Sequence, residues 1–245
     1  MPEQVAARFS DAALRYEQAA RIQQQAAVCF DDWLAQLPLA APNHIVEIGC
    51  GTGLLTRLLH ARYQNALLYA TDLAPAMLDF CRKSLPADTH LQFSLCDGRS
   101  AQFDPTPDWI VSTMCFQWFD PLPPVLARHA DQCRVLAFSI LLDGSFSDWR
   151  AAHQRAGIEP GLRPLPDYDA LLQACANLGG KRVHAQRLTL TDLHADGRAF
   201  ARSLRAIGAD WPRVGHRPTN LRPVLRQLRD GVAANYEIGM LCVEM

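Results

Sequence analysis

The segment His44-Ile-Val-Glu-Ile-Gly-Cys-Gly-Thr-Gly53 constrains this chain most, because a short apolar run passes directly into three alternating glycines and then into the helical pattern Leu54 to Tyr63. Glycine tolerates positive φ and lets a ligand approach the N–H groups at a helix N-terminus, where partial positive charge gathers. A strand, glycine turn and helix in this order form a nucleotide loop. The dinucleotide fingerprint G-x-G-x-x-G, started at Gly49, needs its third glycine at position 54. Leu54 stands there, which argues against a nicotinamide cofactor.

The rhythm around this loop gives the architecture. His44 to Ile48, Leu67 to Thr71, Leu91 to Leu95, Trp109 to Thr113 and Val135 to Ile140 read as buried strands. Helical spacing at Leu54 to Tyr63 and at Ala76 to Leu85, the latter opened by Pro75, makes the connections right-handed βαβ crossovers of a parallel sheet. After Ile140 the segment Gly144 to Pro166 is rich in Gly and Pro. A helix, Tyr168 to Asn177, and a strand, Val183 to Leu190, follow it. Helices are then expected at Ala195 to Ile207 and Leu221 to Ala234, flanking a loop with Trp211 and His216, before a last strand from Tyr236 to Val243. With 245 residues, 49% apolar, the chain can bury one core. A single domain, 1–245, is expected: a nucleotide-binding core at 43–142 and a helical substrate cap at about 191–234, inserted before the last strand.

Global composition excludes several classes. The net charge is −1, so nothing points to nucleic acid or a membrane surface. No apolar stretch reaches the roughly 18 residues of a membrane span, and Met1 to Ala20 lacks the apolar core of an export signal. The eight cysteines form no C-x-x-C pair, so neither a metal site nor a disulfide framework is expected, and a reducing, cytoplasmic setting fits them.

The glycines at 49, 51 and 53, with Glu47 before them, resemble the E/D-x-G-x-G-x-G motif of class I methyltransferases. Asp72 ends the second strand 19 residues after Gly53, where a carboxylate can accept both ribose hydroxyls of an adenosine. Asp97, within Leu95-Cys96-Asp97-Gly98, ends the third strand; in this class an acidic residue and its neighbours' backbone read the adenine amino group. Leu73 and Met77 would pack on the adenine or ribose. Thr113 to Phe119, including Trp118, brings an aromatic turn to the same edge. Each residue has a plainer reading alone: a helix cap, a turn aspartate, a core methionine. In order, at the carboxyl ends of successive parallel strands, they form a ligand-binding constellation. The resemblance implies S-adenosylmethionine as cofactor. It also implies an α/β, Rossmann-like class I methyltransferase fold: a mostly parallel seven-stranded sheet with helices on both faces and a helical cap.

A closer resemblance is to the malonyl-acyl carrier protein O-methyltransferases that open biotin synthesis. Phe9-Ser-Asp-Ala-Ala-Leu-Arg-Tyr-Glu-Gln18 and Ile22-Gln-Gln-Gln25 look like that family's leading helix pair, and Asp108 to Phe119 and Ser203-Leu-Arg-Ala-Ile-Gly-Ala209 are similar too. The likeness spans nearly the whole chain and is weakest at Asp143 to Ala185. It implies that helices within 1–40 close over the cofactor, with Tyr16 and Gln25 at its methionine end. One departure is Asp131-Gln-Cys-Arg-Val135, which lacks the family's L-x-P-G-G turn.

The implied reaction needs little catalytic equipment. A malonyl carboxylate is ionised at pH 7, so no general base is required, and catalysis rests on in-line positioning and desolvation. It does call for a cation to orient the second carboxylate oxygen. The chain has 22 Arg and 2 Lys, a bias that codon habit alone can produce. Positions 181–229 nevertheless hold ten Arg and one Lys against three Asp. Such a patch suits an acidic acyl carrier protein. Arg202, Arg205 and Tyr16 are the substrate-orienting candidates, and a monomer is expected. Competing readings are a methyltransferase acting on another small carboxylate or a hydroxyl, and a cofactor-binding regulatory protein without turnover.

Overall fold

The computed structural model describes residues 6–10, 16–17, 19–86, 89–209 and 220–245. The Trp211 and His216 loop lies outside them. A leading helix, α1 (Arg21–Gln36), precedes β1 (His44–Ile48), α2 (Leu54–Arg62), β2 (Leu67–Asp72), α3 (Pro75–Ser84), β3 (Leu91–Leu95), β4 (Trp109–Thr113), α4 (Pro123–Ala130) and β5 (Val135–Leu141). The chain continues through α5 (Ser147–Arg155), α6 (Tyr168–Ala176), β6 (Arg182–His194), α7 (Gly197–Ala206), α8 (Arg222–Gln227) and β7 (Val232–Glu244). The seven strands form one sheet in the order β3-β2-β1-β4-β5-β7-β6. β1 to β5 run parallel, and β7 pairs antiparallel with both β5 and β6.

Alternation along the strands builds two apolar layers, since successive side chains point to opposite faces. Ile45, Leu68 and Val111 pack with α1 and α2 on one face, whereas Val46, Ile110 and Phe138 pack with α4 and α6 on the other. The strand order reverses direction at β1 and β4, so the crevice beside the glycine loop opens at the carboxyl edge, where open α/β sheets bind ligands.

Two expected elements differ. Leu221 to Ala234 is not one helix: α8 stops at Gln227, Gly231 has φ 128°, and Val232, Ala234 and Tyr236 are buried while Ala233 is exposed. That two-residue period belongs to a strand, and pairing along the whole length of β6, from His194↔Val232 to Arg182↔Glu244, outweighs helix propensity. The Gly/Pro-rich stretch also contains α5, whose buried Trp149, Ala152 and His153 fall at helical spacing. The missing L-x-P-G-G turn is replaced by a short connection in which Gln132 accepts from the Phe103 N–H (3.0 Å) and donates to Ala101 O (3.1 Å).

Candidate functional site

Four successive strand ends bring the predicted residues together. The N–H groups of Gly49 and Cys50 both donate to Thr71 O (2.8 and 2.9 Å), which fixes the start of the glycine loop against β2. Gly49, Gly51 and Gly53 all have positive φ (72°, 55° and 86°). Their surroundings differ, however. A Cβ at Gly49 would lie 2.3 Å from Cys115 Sγ, whereas one at Gly51 would meet nothing within 4 Å. Gly51 thus presents bare backbone to an open cleft.

Asp72, at the end of β2, accepts the Gly51 N–H through Oδ2 (2.9 Å) and the Ala74 N–H through Oδ1 (2.8 Å). Desolvation raises its pKa, and these N–H donors hold it back. With the Leu73 N–H also directed at the carboxylate, it retains acceptor capacity for a ligand hydroxyl. Asp97, beyond β3, is paired with Arg99, which lowers its pKa chiefly through that hydrogen bond. β4 ends abruptly at Met114, whose φ of 51° is strained for a non-glycine and throws Cys115 to Phe119 across the cleft.

The cleft is lined by Gly49, Gly51, Asp72, Leu73, Met77, Cys96, Asp97, Gly98, Thr113, Trp118 and Tyr16. Phe9 closes its upper side, with its ring edge-on to Trp118 at 5.5 Å and 6.4 Å from Tyr16. The N-terminal segment is held there by Glu17, which receives Arg57 Nη2 (2.6 Å) on its carboxylate and Gln24 Nε2 (2.7 Å) on its carbonyl. Burial pushes the Tyr16 hydroxyl's pKa well up, and the facing Asp72 adds to this.

Three expected cofactor residues lie elsewhere. Glu47 is fully buried behind the loop, where Oε2 accepts from Thr56 Oγ1 (2.6 Å) and Oε1 has no partner among the described residues. Desolvation brings its pKa to about 7. Gly53 caps α2 against Cys81 and Leu85. Gln25 is exposed, while Gln23, two residues earlier, is buried and reaches the cleft. Residues two apart on a helix face apart, and Gln23 shares the stripe of Ala26, Ala27 and Phe30. A glutamine within that apolar stripe was the legible signal.

Beside the cleft lies an apolar chamber walled by Leu141, Phe146, Trp149, Leu204, Ile207 and Tyr236. The two cavities share Gln23, Met114, Trp118 and Arg163. Arg205 lines the chamber; Arg202 lines neither cavity and is exposed on α7. Arg163 was not foreseen, because its loop carries no sequence signal for it. Among the described residues, no three His, Cys, Asp or Glu side chains gather as a metal site.

The cleft suits an adenosyl ligand: Gly51 leaves room for close approach, Asp72 has acceptor capacity, and the buried Thr52 Oγ1 on its wall has no partner among the described residues. Comparison with known proteins agrees. A family described as "Methyltransferase domain" matches residues 45–135. The chain is 38% identical over 241 residues to the biotin biosynthesis bifunctional protein BioCD of Bordetella avium, covering 95% of this chain and 50% of that protein. It thus spans half the length of that bifunctional relative. It is 31% identical to the malonyl-[acyl-carrier protein] O-methyltransferase of Magnetococcus marinus, covering 89% of this chain and 83% of that one. Magnesium protoporphyrin IX methyltransferase from Synechocystis, solved with bound SAH, shares the fold at a TM-score of 0.56 and 15% identity, over 91% of this chain and 83% of that one. A nucleotide cleft of this build, with relatives matching along nearly its whole length, places the chain in the malonyl-[acyl-carrier protein] O-methyltransferase family, within the S-adenosylmethionine-dependent methyltransferases.

Proposed function

We propose that the protein methylates the free carboxylate of a malonyl group carried on acyl carrier protein, giving the methyl ester that enters biotin synthesis. The observation that carries this reading is the apolar chamber adjoining the cofactor cleft, with which it shares Gln23, Met114, Trp118 and Arg163, in a chain with a relative of that name.

S-adenosylmethionine supplies an electrophilic methyl group on a sulfonium. The chain's own residues do the rest by position. Asp72 fixes the nucleoside end beside the open backbone of Gly51, and Phe9, Tyr16 and Trp118 exclude water from the reacting face. An ionised carboxylate requires no general base. Arg198 and Arg202 on α7, with Arg222 and Arg226 on α8, are exposed and suit an acidic carrier.

The reading includes a monomeric enzyme of the cytoplasm, consistent with eight free cysteines and with no described helix long and apolar enough to cross a membrane. Mass spectrometry of malonyl-acyl carrier protein incubated with the protein and S-adenosylmethionine tests the reaction, with free malonate and a succinyl carrier as controls. A one-methyl gain on the malonyl carrier alone is expected. Gain only on a free acid, or none at all, would overturn the assignment.

A further inference from the structure

On the carboxylate-acceptor reading, methyl transfer takes place where the cofactor cleft and the acceptor chamber adjoin, at the residues that line both. Among the described residues, four line both cavities: Gln23, Met114, Trp118 and Arg163. Among them only Arg163 carries charge. Its guanidinium carbon sits 5.6 Å from the centre of the Trp118 ring. Among the described residues no carboxylate pairs with it, whereas Arg99, the other cation of the cleft, is already bound to Asp97.

The loop that bears Arg163 is tied down at both ends. The Ile158 N–H donates to His153 O (3.0 Å) at the end of α5, and Pro166 O accepts the Asp143 N–H (2.9 Å) after β5. A half-buried guanidinium on an anchored loop, resting on an aromatic face at an apolar junction, is set up to receive a carboxylate.

Building on the carboxylate-acceptor reading above, we propose that Arg163 holds the acceptor carboxylate. One oxygen is gripped by the guanidinium while the other is left facing the cleft. A lone pair on that free oxygen forms the new O–CH3 bond as the C–S bonding pair stays on sulfur; no proton moves. The acceptor anion becomes a neutral ester, and Arg163 loses its counter-charge. The same contact that recruits the substrate therefore releases the product. Arg205 lines only the chamber and Arg202 neither cavity, so both fall short of this junction.

Arg163→Gln and Arg163→Lys, assayed with malonyl-acyl carrier protein, test the inference. Loss of a charge-assisted hydrogen bond should raise KM about tenfold to a hundredfold in Arg163→Gln, with partial recovery in Arg163→Lys. Calorimetric affinity for S-adenosylhomocysteine should stay within about twofold of wild type. Wild type should bind the malonyl carrier more tightly than its methyl ester, and Arg163→Gln should erase that preference, which a merely structural role would leave intact. An unchanged KM in Arg163→Gln, with wild type active, overturns this inference alone. A parallel loss of S-adenosylhomocysteine affinity would also overturn it, making Arg163 a support for Trp118. A wild type inactive on every carboxylate would bring down the parent reading with it.

Discussion

Glu47 shows how one residue's burial sets a measurable property. Its carboxyl has a single hydrogen bond, from Thr56, and no exposure, so ionising it in the folded state is costly. The folded pKa of about 7 lies above the ordinary 4.5. The folded form therefore holds the proton more tightly, so stability is fully present below about pH 4.5 and falls as pH rises toward 7. The full effect is on the order of 3 kcal/mol. Urea unfolding of wild type and Glu47→Gln at pH 5 and pH 8 should show the difference between them shifting toward the variant by an amount of that order. A pH-independent difference would mean that Glu47 is not the buried titrating group. The residue was legible in sequence as the acidic position before the glycines. Its place behind the loop was not, because strand alternation assigns a face but not the helix that covers it.

At the level of elements, the strand, glycine loop and helix unit separates two duties that look identical in the sequence. Gly49 and Gly51 both need positive φ, yet only Gly49 is packed against a neighbour, Cys115. Gly49→Ala should cost about 1–3 kcal/mol of stability, from left-handed strain plus overpacking. Gly51→Ala should cost about 1–2 kcal/mol, from strain alone. Its methyl would project into the space a ligand needs, so S-adenosylhomocysteine affinity should fall at least tenfold. Thermal unfolding and calorimetry on the pair decide the matter; equal affinity losses would refute the division. Elsewhere, helices start at aspartate caps: Asp196 accepts the Ala199 N–H (2.7 Å) to start α7, and Asp167 starts α6. The end of α8 is not set this way, since Leu221 to Ala234 has enough apolar residues for a helix and only the partner strand decides between the two periods.

At the scale of the whole molecule, a net charge of −1 hides an uneven distribution, with exposed arginines gathered on α7 and α8. Reversing Arg198 and Arg202 to Glu should raise KM for carrier-bound substrate severalfold at low salt, and the effect should shrink near 1 M, where the screening length is about 3 Å. Affinity for S-adenosylhomocysteine should not change. A KM ratio independent of salt would remove the docking face. The sequence by itself determined the parallel sheet, the nucleotide loop and the carboxylates at Asp72 and Asp97, because period, glycine spacing and strand ends are local patterns. Helix period marks Gln23 rather than Gln25 as inward-facing, but tertiary structure alone decided that this face meets the cleft and that Arg163 stands at the junction. Those choices depend on which helix face meets the sheet and where an irregular loop is anchored, and both are set by packing between segments far apart in the chain.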